Sequence, residues 1–285
     1  MLAVWSRRPL AMNALTPRER ERLAGLPPRM RGQWLISRHA LRVLLGLLGL
    51  DRDTTAHTFP HRRLSLSHID GAAVAAGAVT GTAALHGFGV DLEAERALRV
   101  DTSRFFLDPR ERSWLASLPE DDRAVHRLRL WTVKEALFKA DPDNHRTVLL
   151  DYATADPAAR CGRAHARPHP RIPFGYTSAR LHRGHLSIAA ATRPGPPPCS
   201  PAPESERPVP ALTFDDVAER ISATLSIPVA GLTPDTRLRE LAADSFLLVE
   251  MAVDLQEEFD TVFTQNELRE ITTLGELAGL VGVRP

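Results

Sequence analysis

Five side chains in two short stretches have the types and spacing to hold a polyphosphate. The first stretch reads Gly89-Val90-Asp91-Leu92-Glu93, and the second Trp131-Thr132-Val133-Lys134-Glu135-Ala136-Leu137-Phe138-Lys139. Asp91 and Glu93 are two apart, so on a strand they share a face. Glu135 and Lys139 are four apart with the acid on the N-terminal side, so on a helix they point the same way. Trp131 lies one turn before Glu135 and can pack beneath it. Three carboxylates brought together repel unless a cation lies among them. All-oxygen ligation points to magnesium, which completes its octahedron with water and substrate phosphate. Lysines beside it would hold phosphate oxygens. The chain has 36 Lys plus Arg, and Lys134 and Lys139 are its only lysines. A compact ammonium and a planar guanidinium are not interchangeable, so two lysines five apart mark a place that wants a point charge.

The elements that must position these groups can be read from periodicity and caps. Thr16-Pro17-Arg18-Glu19 starts a helix, with Thr16 as N-cap, Pro17 in the first turn and Glu19 in the capping-box position. Residues 31–48 form a long helix whose apolar face is Trp34, Leu35, Leu41, Leu44, Leu45 and Leu48. Arg38 and Arg42 lie one turn apart on it, as a solvated face or a phosphate clamp. Residues 64–68 alternate apolar and polar and read as a strand. Residues 72–79 and 83–90 read as a hairpin turning at Thr80-Gly81. Asp108-Pro109-Arg110-Glu111 starts another helix, and residues 125–140 are the second long one, stopped by Asp141-Pro142-Asp143-Asn144. Residues 148–152, 175–181 and 185–192 read as strands. The order of helix then strands appears twice, in 1–90 and 91–192, which predicts two similar α/β halves without a strong residue-level repeat. Residues 193–210 hold eight prolines in 18 positions and read as a linker stiffened toward polyproline II. Residues 211–285 then read as a small helical domain, with Val217, Ile221 and Leu225 on one stripe, a helix over 245–259 and a last one over 273–281.

Charge divides the chain in the same way. Residues 1–192 carry 29 basic and 19 acidic side chains, a net of +10, while residues 211–285 carry 5 and 14, a net of −9. A basic part of this kind suits a polyphosphate or an acidic partner, and the acidic part could itself be that partner. The arginines are scattered, with no basic run interleaved with aromatics, which argues against nucleic acid. Cys161 and Cys199, one of them among prolines, suggest a reducing cytoplasm rather than a disulfide framework. The N-terminus shows no signal pattern, and the most apolar run, 71–85, is too short to span a bilayer. Cys161, His165, His169, His182 and His185 match no strong zinc template and read as loop and strand-surface residues. Trp5, Trp34 and Trp114 read as core or half-buried packing.

The two opening stretches resemble the paired signature of 4′-phosphopantetheinyl transferases, most closely the large pseudo-dimeric type serving nonribosomal peptide and polyketide synthases. Leu66-Ser67-His68 resembles that family's upstream Ser-His motif, and Arg38 in Ser37-Arg38-His39-Ala40-Leu41-Arg42 its early arginine. The resemblance covers residues 1–192. It implies an α+β fold of two similar halves related by a pseudo-two-fold, with coenzyme A and Mg2+ in the cleft between them. Asp91, Glu93 and Glu135 would bind the metal. Arg38, Ser67, His68 and Lys134 would contact coenzyme A. Glu135 or a metal-bound water would deprotonate the acceptor serine, and Lys139 would neutralise the departing 3′,5′-ADP. The approach to Ser67, Thr58-Phe59-Pro60-His61-Arg62-Arg63, lacks the Gly-Lys-Pro type loop of the family and leaves Arg62 or Arg63 to replace the lysine's phosphate contact.

Leu241-Ala242-Ala243-Asp244-Ser245-Phe246 resembles the Asp-Ser-Leu motif of acyl and peptidyl carrier proteins, with Phe in place of Leu. The resemblance implies a C-terminal four-helix carrier domain bearing 4′-phosphopantetheine on Ser245. The face offered to partner synthase enzymes would carry Phe246, Glu250, Met251, Glu257 and Glu258. A linker of this length spans roughly 55 Å at ~3.1 Å per residue, and tethering would give an effective concentration on the order of millimolar. Two functions follow as expectations. One is a transferase of the holo-[acyl-carrier-protein] synthase type, in the cytoplasm, priming carriers in cis or in trans, its own Ser245 among the candidates. The other is a degenerate transferase fold that acts as a docking platform for a carrier primed by another enzyme.

Overall fold

A computed structural model describes residues 1–79, 85–95, 102–182, 184–192, 214–225, 228–238 and 271–280. The chain forms two compact units. One comprises Met1–Ala97 with Phe106–Pro197, the other Leu98–Phe105 with Pro198–Pro285.

The first unit is α+β and contains two antiparallel sheets. Strand β1 (Leu2–Ser6), helices α1 (Pro17–Ala24) and α2 (Pro28–Leu47), and strands β2 (Leu64–Ile69) and β3 (Ala72–Gly77) come first, with sheet order β1-β3-β2. Strand β4 (Leu85–Ala94), helices α3 (Pro109–Ser117) and α4 (Glu120–Ala140), and strands β5 (Tyr152–Thr154), β6 (Cys161–Ala166), β7 (His169–Leu181) and β8 (Gly184–Thr192) follow, with sheet order β4-β8-β7-β6-β5. Each long helix buries its apolar stripe on its own sheet. Ala40, Leu41, Leu44 and Leu45 meet Leu64, Ala73 and Ala75. Val133, Ala136, Leu137 and Ala140 meet Tyr152, Phe174, Ala189 and Ala191. The faces turned away from the helices, including Val74, Ala76, Phe88, Val90 and Leu92, form a third apolar layer between the sheets.

The expected hairpin over 72–90 does not form. β3 has both edges taken, by β1 and β2, and β4 belongs to the other sheet, where it pairs with β8. The expected strand over 148–152 is a single 3-10 turn, Leu149–Asp151, closed by Asp151 accepting from the Val148 amide at 2.8 Å; only then does β5 begin. β1 and β6 are strands that the sequence pattern passes over, β6 because its residues are mostly small or polar.

A residue-level repeat also emerges that the sequence reading did not see. Thr16-Pro17-Arg18-Glu19 and Asp108-Pro109-Arg110-Glu111 are both complete capping boxes. Glu19 accepts from the amide and hydroxyl of Thr54 at 3.0 and 2.6 Å, and Glu111 does the same with Thr154 at 3.0 and 2.8 Å. Arg31 caps α1 through the carbonyls of Leu26 and Ala24, and Arg123 caps α3 through those of Leu118 and Ala116. In each set the first strand pairs antiparallel with the last.

In the second unit, α5 (Phe214–Leu225) buries Val217, Ala218 and Ile221. Helix α6 (Leu274–Leu280) buries Leu274, Leu277 and Ala278. The loop with Pro234-Asp235-Thr236 is latched to the start of α6. The Leu274 amide donates to the Thr236 carbonyl and the Gly275 amide to the Pro234 carbonyl, both at 2.8 Å. The expected helix over 245–259, Ser245 and its neighbours Phe246, Glu250, Met251, Glu257 and Glu258 lie outside the described residues.

Candidate active site

The two opening stretches meet because two glycines let a helix lie on a strand. A Cβ on Gly89 would come 2.0 Å from the Ala136 carbonyl oxygen, and one on Gly87 1.9 Å from that of Ala140. Only hydrogen at these positions allows α4 to lie backbone-on-backbone against β4. The close approach brings Lys139 Nζ to 2.6 Å from Asp91 Oδ1 and 4.0 Å from Glu135 Oε2. Trp131, buried edge-to-face on Phe106, donates its indole N–H to Glu93 Oε1 at 3.2 Å. Asp91, Glu93 and Glu135 are all buried. Burial presses the Lys139 pKa down, but Asp91, Glu135 and Glu93 outweigh it and hold the ammonium above the ordinary lysine range.

Strand β2 closes the other side. β4 is an edge strand, and its outward amides would be unpaired. Ser65 Oγ accepts from the Val90 amide at 2.9 Å, and Ser67 Oγ from the Leu92 amide at 3.2 Å. Side-chain hydroxyls therefore finish the edge that a hydrogen-bonded strand would otherwise finish. Ser67 also donates to Asp91 Oδ1 at 2.8 Å, so this carboxylate oxygen takes both a hydroxyl and an ammonium. The other oxygen, Asp91 Oδ2, is buried with no hydrogen-bond partner. A cleft of about 500 Å³ opens beside Glu93, with Trp5, Arg7, Ile69 and Leu92 among its walls.

Other residues singled out by sequence are engaged elsewhere. Lys134 has no exposed surface. Its Nζ lies 2.5 Å from Glu111 Oε2 and donates to the Tyr152 carbonyl, so the ammonium expected to contact coenzyme A is engaged inside the fold in this structure. Burial pushes its pKa below the ordinary lysine value, with Glu111 pulling the other way. Arg62 donates to the Leu85 carbonyl through Nε and Nη2 at 2.8 and 2.6 Å, and Arg63 to the Ala78 carbonyl at 3.2 Å. Both brace backbone. Arg38 lies over the Trp34 ring at 5.2 Å with its Nε buried and unpartnered, and burial lowers its pKa. His68 is exposed at the end of β2, beside the buried Ser67. Glu111 is the residue that sequence reasoning undervalued. Its capping-box position signalled a local role, and nothing in the pattern tied it to Lys134.

His185 also departs from the expectation of a surface residue. It is 2% exposed, and neither ring nitrogen has a partner. It faces Glu93 across the β4–β8 ladder. Burial pushes its pKa down to about 4.

Residues 87–176 match the family model of the 4′-phosphopantetheinyl transferase superfamily, and residues 215–281 match that of the phosphopantetheine attachment site. The chain therefore holds a phosphopantetheinyl transferase domain at 87–176 followed by a carrier domain at 215–281. No curated protein matches it. Together the two domains assign transfer of phosphopantetheine to a carrier serine. The transferase match begins at Gly87 and spans β4, α3 and α4 and the strands through most of β7, so it contains Asp91, Glu93, Glu135 and Lys139.

Among the described residues, no three Asp, Glu, His or Cys side chains are grouped as a ready metal site. The Lys139 ammonium lies against Asp91 and near Glu135. The donor set nevertheless fits a hard cation. It is all oxygen, it is buried, and Asp91 Oδ2 keeps an unused lone pair there. No described helix is long and apolar enough to cross a membrane.

Proposed function

We propose that the transferase domain moves the phosphopantetheine arm of coenzyme A onto Ser245, on its own chain or on a second copy. The observation that carries the reading is the packing of α4 on Gly87 and Gly89, which sets Lys139 and Glu135 against Asp91. The serine oxygen attacks the pantetheine-side phosphorus of the pyrophosphate, the bond to the bridging oxygen breaks, and 3′,5′-ADP leaves. Glu135 takes the serine proton. Lys139 leaves Asp91 to follow the charge that grows on the departing phosphate. Asp91, Glu93 and Glu135 would hold magnesium, which when bound spreads the pyrophosphate's charge. Ser67 and Trp131 fix the first two carboxylates in place. Arg38, with its unpartnered Nε, and the exposed His68 are offered as coenzyme A contacts. Lys134, Arg62 and Arg63 are not, because other groups hold them.

The repeated capping boxes, the repeated Glu–Thr bonds and the strand order support two similar halves, about 1–90 and 91–192, related by a pseudo-two-fold. A net of −9 over residues 211–285 against +10 over 1–192 supports docking of the carrier on the transferase. We place the protein in the cytoplasm, as a holo-carrier synthase whose carrier serves polyketide or nonribosomal peptide enzymes. The test is mass spectrometry of the Ser245 peptide after incubation with coenzyme A and Mg2+. Wild type should gain the phosphopantetheine mass and Glu135→Gln should not. If neither Ser245 nor a separate carrier is modified by wild type, the chain is a docking platform and the reading fails.

A further inference from the structure

The Glu111–Lys134 pair joins three elements at one point. Glu111 lies in the first turn of α3, where its Oε2 accepts from the Asp108 amide at 3.0 Å and its Oε1 from Thr154 in β5. Lys134 lies in the middle of α4 and adds the Tyr152 carbonyl at the start of β5. Both side chains are wholly buried. A buried ion pair is costly unless every polar atom is satisfied, and here carboxylate and ammonium together take up the N-cap amide of α3 and backbone and hydroxyl groups of β5. The next residue along α4 is Glu135, and Lys139 follows one turn later. Successive helix residues are about 100° apart around the axis, so fixing Lys134 toward β5 fixes Glu135 toward β4.

The first half of the domain holds a copy. Glu19, in the first turn of α1, takes the Thr16 amide at 2.9 Å, the amide and hydroxyl of Thr54, and the guanidinium of Arg42 in α2. Thr16 and Asp108 are 92 positions apart, and so are Arg42 and Lys134. A cation at this point of the long helix therefore recurs where the other acids and the second lysine do not: Val43 and Leu47 stand at the positions of Glu135 and Lys139. The recurring part is the tie between helices, and the chemistry was built beside it.

We infer that Lys134 and Glu111 are positioning residues: a lock that sets the rotation of α4 so that Glu135 and Lys139 face Asp91. This deepens the transfer reading and rests on it. Lys134 acts through its neighbours and touches neither substrate nor metal.

The test compares Lys134→Met, Glu111→Met and the double variant, in the full chain with a separate carrier as acceptor. Three quantities are measured: kcat, KM for coenzyme A, and Mn2+ binding by calorimetry. Each single variant leaves one buried charge alone, and should lose at least tenfold in kcat and in Mn2+ affinity, with KM for coenzyme A within twofold of wild type. The double variant removes both charges and should recover most of both losses, the pattern of two residues coupled to each other. A Lys134 that held a phosphate would behave differently. KM for coenzyme A would rise tenfold or more in Lys134→Met and stay raised in the double variant, and that result overturns the inference. If a single variant does not fold, the double variant decides alone by the same KM criterion. A wild type that transfers nothing would remove the transfer reading, while Mn2+ binding by the three variants would still test the lock.

Discussion

Replacing Gly89 by Ala should separate the two halves of the active site. The added Cβ would meet the Ala136 carbonyl oxygen at 2.0 Å and the Ala140 amide nitrogen at 2.7 Å. Both are helix backbone, so no side chain can swing away. Restoring an ordinary contact of about 3.2 Å moves α4 off β4 by more than about 1 Å locally. Lys139 Nζ, now 2.6 Å from Asp91 Oδ1, would then lie at the limit of a hydrogen bond, and Glu135 would retreat with it. A misplacement of about 1 Å can cost on the order of 10²-fold in rate, while overpacking of this kind costs about 1–3 kcal/mol in stability. The assay is the initial rate of phosphopantetheine transfer to a separate carrier, read by mass, with thermal unfolding recorded on the same sample. A folded Gly89→Ala protein that transfers within threefold of wild type would refute the argument that helix-to-strand proximity assembles the site.

Gly32 in α2 provides the opposite case, because an added Cβ meets nothing within 4 Å. Gly32→Ala should therefore stabilise by about 0.5–1 kcal/mol and leave transfer unchanged, visible as a rise of the order of 2–4 °C in melting temperature. His185 sets an acid limit. Burial is the main cause of its lowered pKa of about 4, with Arg129, Arg180 and His126 adding to it and Glu95 opposing. Between pH 6.5 and 4 the unfolded chain therefore binds the extra proton, so stability falls as pH falls through that window, by about 3 kcal/mol in all. Urea denaturation of wild type and His185→Phe at pH 7 and pH 4.5 checks this; an equal loss of stability in both proteins would show that another group is responsible.

The sequence made the spacing of the candidate site residues more legible than their surroundings. Asp91, Glu135 and Lys139 were legible because their spacing on a strand and a helix is a matter of period alone, and the structure brings them together. Ser67 was legible as important but not in its role. An alternating strand such as Leu64-Ser65-Leu66-Ser67 reads as apolar inside and polar outside. Here both serines are buried, because the free amides of β4 need acceptors. The β3–β4 hairpin was misread for a related reason. Two apolar runs separated by Thr-Gly suggest pairing, but pairing is decided by which edges are free, and β1, which ends at Ser6 while the next strand begins only at Leu64, takes one edge of β3 and β2 the other. The pairing of Lys134 with Glu111 was not legible, because type and neighbourhood are visible in a sequence, whereas burial is a property of the packed fold.

Comparing equivalent positions in the proposed halves shows how one frame came to hold one site. Ser6 in β1 bonds His39 Nδ1 of α2 at 2.8 Å, where Glu93 in β4 takes the indole of Trp131 in α4. His39 and Trp131 are again 92 positions apart. The strand-to-helix hydrogen bond is thus kept in both halves, with a hydroxyl and an imidazole in one and a carboxylate and an indole in the other. Val4 lies two residues before Ser6, as Asp91 lies two before Glu93. The first half therefore keeps the tie without acids at these positions. Its own long helix instead carries Arg38, one turn before the locked Arg42. On the proposed transfer reading, a substrate with a phosphate end and a reacting pyrophosphate would meet two unlike surfaces, one with the Arg38 guanidinium and one with the carboxylates and the Lys139 ammonium. Two copies of a locked helix on a sheet can supply both, provided the copies diverge at the positions beside the lock and not in the lock itself.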